Sequence, residues 1–328
     1  MKLYPLKFKP VYKDYVWGGD RIIKKYNRDE PSGVYAESWE VSARAEGMSV
    51  VANGVFAGKS LVEMIKIFGT DLLGTSVTDG KFPLLIKLID SRQRLSVQVH
   101  PDDDNARFAG GEPKTEMWYI LDADAGAEVV AGLKPGVDEE RLRQALRDGD
   151  VPDILNHVPI SAGDAIYMPG GRVHSICEGS LILEVQQNSN TTYRLYDWER
   201  IGIDGKPREL HVNEALKAIK WGDAYKSRIY PDPPQMLGRN EFRTVVKSPY
   251  FMMEWQCLRE KHKETMSGEA FAVFFCDSGR AEIEWAGGKM AFAPGTTVLL
   301  PATLPVCEIT PVEPECHVLK ISSGLRAV

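Results

Sequence analysis

The stretch Gly163-Asp-Ala-Ile-Tyr-Met-Pro-Gly-Gly-Arg-Val-His174 carries the fold decision. An apolar run, Ala165 to Met168, stops at Pro169 and two glycines, and the next segment opens on a histidine. Proline cannot donate to a ladder and glycine supplies the turn, so the spacing predicts a strand, a tight turn and a second strand. That turn can aim His174 inward. The first half recurs as Gly295-Thr-Thr-Val-Leu-Leu-Pro301, which predicts two related β units.

Outward from this stretch, short apolar runs alternate with Gly, Pro, Asp and Asn. Phe82 to Leu88, Leu95 to Val99, Met117 to Leu121, Glu128 to Leu133 and Leu181 to Val185 all read as strands. Their density predicts a mainly β chain, a sandwich or barrel of sheets. Helical periodicity is confined to Ser60 to Phe68, Asp138 to Arg147 and Val212 to Ile219, which read as short insertions. The Pro-rich, polar segment 230–240 reads as a linker. It divides the chain into residues 1–235 and 236–328.

Composition narrows the function classes. Of 328 residues, 43% are hydrophobic and 26% charged, the balance of an ordinary globular protein. A net charge of −6 without a basic run argues against nucleic acid, while a cleft with a few local cations stays open to a small anion. No apolar stretch approaches the roughly 18–20 residues of a membrane span, and Met1-Lys-Leu-Tyr-Pro5 leads into charged residues, unlike a secretory signal. The five cysteines are odd in number and lack a CxxC pair, as expected of reduced cytoplasmic thiols.

In Leu95-Ser-Val-Gln-Val-His100, strand alternation puts Ser96, Gln98 and His100 on one face. Such a row is either solvent-facing or, inside a barrel, a set of ligands, because an unpartnered buried polar group costs about 1–3 kcal/mol. Lys114-Thr-Glu116 opens the next strand after a Gly-rich loop, so Glu116 can face the same space. Taken singly, such a Glu116 is usually a surface charge and such a His174 more often a hydrogen-bonded structural residue than a ligand. Two imidazoles, a carboxylate and an amide on neighbouring strands make a mixed N/O site suited to zinc and related divalent metals.

The Gly163 to His174 pattern resembles the second motif of the cupins, with Gln98-Val-His100 and Glu116 in place of the first-motif ligands. More narrowly, Gln98-Val-His-Pro-Asp-Asp103, Lys114-Thr-Glu-Met-Trp-Tyr119 and Thr191-Thr-Tyr-Arg-Leu-Tyr-Asp-Trp198 resemble the type I mannose-6-phosphate isomerases in their short bacterial form. The resemblance spans about residues 1 to 210. It implies two cupin-like (jelly-roll) units and one Zn2+ held by Gln98, His100, Glu116 and His174. It also matches Glu184 and Arg194, ten residues apart, to a carboxylate and a cleft arginine, with Arg200 as a further cation and Trp17 and Lys114 lining the pocket. The long helical insertion of larger members is missing. In the second unit Val306 stands where His174 stands in the first, so that unit is expected to be structural and without a metal.

The activity that the resemblance implies is an aldose–ketose isomerase acting on mannose 6-phosphate and fructose 6-phosphate through a cis-enediol; the alternative is a cupin that binds a sugar phosphate without turning it over. For the base, burial of Glu184 on an apolar strand is expected to raise its pKa toward neutrality, with Lys114 as competitor or as a cation steadying the enediolate. Otherwise Glu184 would simply pair with Arg194. Arg194 and Ser96 are expected to grip phosphate, helped by Arg200. A monomer or weak homo-oligomer, with only a small-molecule partner, completes the expectation.

Overall fold

The computed structural model describes residues 2–202, 205–223 and 226–324. Four antiparallel sheets make up two jelly-roll units. The N-terminal unit sets a seven-stranded sheet, ordered Arg228–Ile229, Ala165–Met168, Glu116–Ala123, Ser180–Gln187, Leu84–Ser91, Glu37–Val41 and Val11–Lys13, against a five-stranded sheet. The latter runs Tyr193–Tyr196, Val97–Val99, His174–Ile176, Glu128–Leu133 and Leu155–Pro159. The C-terminal unit faces an eight-stranded sheet with the four strands His262–Glu264, Cys307–Pro311, Ala281–Trp285 and Gly288–Phe292. No described helix is long and apolar enough to cross a membrane.

Strand alternation sorts the side chains into layers. In the seven-stranded sheet, Leu84, Ile86, Leu88, Met117, Leu181, Leu183 and Val185 point toward the eight-stranded sheet and meet Met253, Val273, Phe275, Leu319 and Ile321. This shared core joins the two units; each such side chain, fully buried, contributes about 1.5–3 kcal/mol. The opposite face, with Trp118, Ile120, Ile182 and Ile89, closes over the five-stranded sheet. The outer face of that sheet packs Val97, Val99, Val130 and Val173 against the helices Glu139–Asp148 and Val212–Ala218.

The expected helices are present, and two carry side-chain caps: Ser60 and Glu63 form a capping box before Leu61–Phe68, and Asp138 accepts from Arg141 N. The linker segment is more structured than its composition implied. Residues 230–234 are loop, but Gln235–Leu237 pairs with Asn240–Lys247 as an edge strand. Strand pairing also crosses the 235/236 division: Leu6–Lys9 lies beside Thr297–Leu300, so the start of the chain completes the C-terminal sheet. Side-chain pattern alone contains no record of such a long-range partner.

Candidate metal centre and active site

The strand Val97–Val99 buries its valines against the helices, which leaves Ser96, Gln98 and His100 facing the barrel. His174 opens the neighbouring strand directly opposite Gln98, and Arg194 lies opposite Gln98 on the other side. One row, Arg194–Gln98–His174, therefore crosses the five-stranded sheet. The turn before His174 depends on both glycines. A Cβ at Gly170 would sit 2.7 Å from Asp102 Cα, and Gly171 adopts φ +87°, in the left-handed region. Gly171 N then donates to the His100 carbonyl at 2.7 Å, tying the two histidine strands together.

From the facing sheet, Glu116 lies opposite Gln186 and Trp118 opposite Glu184, which in turn lies opposite Lys87. The two rows meet at His100, Glu116 and His174. Glu116 Oε2 is 3.6 Å from His100 Nε2, Glu116 Oε1 is 3.4 Å from His174 Nε2, and the two Nε2 atoms are 3.2 Å apart. All three side chains are buried. His174 Nδ1 donates to the Arg172 carbonyl at 2.8 Å, which leaves its Nε2 as a lone pair aimed at the cluster. Burial, then Lys114, pushes His174 down to about 3; burial, Lys114 and His174 hold His100 well below its usual value. Both rings are thus neutral donors. Glu116 Oε1 receives no hydrogen bond. A buried carboxylate oxygen between two imidazole lone pairs fits a divalent cation, and the three residues can hold one.

The charges around the cluster are arranged by Lys87 and Lys114. Lys114 Nζ is 2.7 Å from Glu116 Oε2 and 3.1 Å from His100 Nε2. Glu184 accepts from Trp118 Nε1 at 3.1 Å and pairs with Lys87 at 3.2 Å; Lys87 also reaches Glu37 at 3.6 Å. Here the expectation for Glu184 is corrected. Burial does push its pKa up, but Lys87, Lys114 and the Trp118 hydrogen bond together outweigh it and hold the carboxyl below its ordinary value. Its partner is Lys87, not Arg194. Glu116 shows the opposite balance: burial raises it to about 7 despite Lys114.

Ser96 is buried, with Oγ 3.4 Å from Gln98 Oε1; the Gln98 amide nitrogen, 3.3 Å from His174 Nε2, is the end that faces the cluster. A half-turn of the carboxamide would present the oxygen instead. Trp17 is buried in the same inner apolar cluster as Trp118. Arg194 donates from Nη1 to the Glu209 carbonyl at 2.7 Å, and Arg200 lies 3.8 Å from Asp197. Arg194 Nε and Arg200 Nη1 are buried without a hydrogen-bond partner. Sequence reasoning missed three charged residues here: Lys87, Glu37 and Arg208. Lys87 had left a signal, a lone lysine inside the apolar run Leu84-Leu-Ile-Lys-Leu-Ile89. Arg208 clamps Asp197, with Nε at 2.8 Å.

Residues 5–133 match the family model for the phosphomannose isomerase type I catalytic domain. A mannose-6-phosphate isomerase of Streptococcus mutans is 35% identical over 304 residues, 92% of this chain and 93% of that one. The chain belongs to the type I mannose-6-phosphate isomerase family. It is accordingly an isomerase of a metal-dependent family. Another such isomerase, from Bacillus subtilis, is 42% identical over 226 residues, 67% of this chain and 69% of that one. The crystal structure of the mannose 6-phosphate isomerase from Bacillus subtilis superposes with a TM-score of 0.89 at 31% identity, covering 98% of this chain and 99% of that one.

Proposed function

We propose that this isomerase interconverts mannose 6-phosphate and fructose 6-phosphate through a cis-enediol in the cytoplasm, with zinc held by His100, Glu116, His174 and a flipped Gln98. The supporting observation is the meeting of the Arg194–Gln98–His174 row with the Glu116, Glu184 and Lys87 row inside one barrel. When bound, zinc supplies a Lewis acid that polarises the sugar oxygens.

The protein's own groups do the rest. Glu184, held ionised by Lys87, takes the proton from C2 of the aldose and returns it to C1, while the O2 hydroxyl proton passes to O1. A depressed pKa keeps this base available at neutral pH at some cost in proton affinity. Lys114, beside Glu116 and His100, supplies a positive charge near the developing enediolate. Arg194 lies opposite Gln98 in register, and its unpartnered Nε, with the Arg200 Nη1 and the Ser96 hydroxyl, offers contacts for the phosphate on C6, at the far end of the sugar from C1 and C2. Trp17 contributes to the wall.

Purified protein loaded with zinc should convert mannose 6-phosphate, and not glucose 6-phosphate, to fructose 6-phosphate. Failure on mannose 6-phosphate with metal bound would end this reading. Glu184→Gln should lower kcat by about 10²–10⁴-fold with metal content unchanged; a near-normal rate would remove Glu184 as the base.

A further inference from the structure

Cys257 and His317 lie opposite one another in the paired strands Phe251–Leu258 and Cys316–Ser323 of the C-terminal unit. Glu315 stands just before the second strand. Cys257 Sγ donates to Glu315 Oε2 at 3.6 Å, and His317 Nε2 is 3.4 Å from Glu315 Oε1. With metal–sulfur bonds of about 2.3 Å and metal–nitrogen or metal–oxygen bonds of about 2.0–2.1 Å, the S–O and N–O edges of a tetrahedral site are about 3.5 and about 3.4 Å. The two spacings found, one to each Glu315 oxygen, match these edges, and the ligand atoms of all three residues lie within 4.8 Å of one another. The 3.4 Å imidazole–carboxylate spacing equals that between His174 and Glu116 at the active site. A third cluster, Glu128, His157 and Cys177, lacks it: Glu128 and His157 are joined by a 2.6 Å hydrogen bond, too close for two ligands of one ion.

The position is held by backbone. Two ligands sit on adjacent strands in fixed register, and the turn at Gly279 packs so closely that a Cβ there would lie 2.2 Å from the Glu315 carbonyl oxygen. One competitor is present, Arg259, whose Nε is 3.3 Å from Glu315 Oε2; it is partly exposed and also faces Glu241 at 4.0 Å. Cys257 and His317 share a sheet face with Met253, Leu319 and Ile321, away from the C-terminal barrel interior. The expectation of no metal rested on Val306 within the strand–turn repeat and left this outer rim unread.

We propose that Cys257, Glu315 and His317 bind a borderline-soft divalent cation such as zinc, with the fourth position open to solvent and the Cys257 proton released on binding. Thiolate with imidazole selects zinc, cobalt or nickel over magnesium or calcium. This site is independent of the reading of the active site, whose described ligands include no sulfur.

Titrating the metal-free full-length protein with Co2+ separates the two sites. A thiolate-to-cobalt charge-transfer band should appear in wild type, quench Trp255, whose ring is 5.3 Å from His317, and vanish in Cys257→Ser. His317→Gln and Glu315→Gln, both at the surface, should weaken the band's cobalt affinity at least tenfold, and all three variants should keep wild-type isomerase activity. They also serve if Cys257→Ser fails to fold. No band in wild type, a band that survives Cys257→Ser, or unchanged affinity in both surface variants would overturn the site.

Discussion

The two jelly rolls share a strand–turn–strand plan and fill their interiors in opposite ways. Between the seven- and five-stranded sheets lie His100, Glu116, His174, Glu184, Lys87 and Lys114, all buried. Between the eight- and four-stranded sheets lie Phe274, Cys276, Ile283, Phe292, Val298, Leu300, Cys307 and Ile309. The first interior holds charges that stay buried only because each has an opposite partner, and so it spends stability on chemistry. The second is close-packed and braces the first through the shared core, with Arg28 donating to the Gly295 carbonyl at 2.9 Å and Thr297 to Glu40 at 2.8 Å.

Four perturbations would break or sharpen this contrast. Lys87→Met should have the largest effect, because it strands Glu37 and Glu184 as unpaired buried carboxylates. Breaking such a network costs about 3–5 kcal/mol, read by denaturant unfolding, and kcat should fall with it. Phe274→Ala should remove about 3–5 kcal/mol through a cavity while leaving kcat per folded molecule unchanged. Loss of rate there would show that the second unit does more than brace. Arg208→Ala should release Asp197 to pair with Arg200 and raise KM about tenfold, the order of one charge-assisted hydrogen bond, with kcat intact.

The fourth expected effect is on stability, is electrostatic and lies outside both barrels. Burial raises Asp90 to about 6, although its Oδ2 accepts from Arg21 N at 2.6 Å. A carboxyl whose folded pKa lies above the unfolded value of 3.8 stabilises the fold most when protonated, and this contribution is lost as pH rises through about 6. Asp90→Asn should therefore gain on wild type by roughly 2 kcal/mol between pH 4 and pH 8. Parallel thermal melts across that range check the sign.

Local patterning was legible in the sequence wherever it is self-contained. The strands near the site were placed to within a few residues, and Glu128–Leu133 and Ala165–Met168 have the bounds expected of them. The His174 turn was readable because Pro and Gly act on their own backbone. Glu184 was placed on the right strand with the wrong pKa direction, because the deciding cation, Lys87, belongs to a neighbouring strand. The membership of Leu6–Lys9 in the C-terminal sheet was hidden for the same reason.

By itself, then, the sequence determined which residues alternate, where strands must turn, and which side chains are able to bind a metal or a phosphate. Those properties are fixed by bonds and sterics within a few residues. Only the tertiary structure decided that Glu116 lies between two imidazoles, that Lys87 holds Glu184 charged, and that Cys257 faces His317. Each depends on strand register across long sequence separations, and electrostatic energies inside a protein depend on distances that only the assembled sheets set.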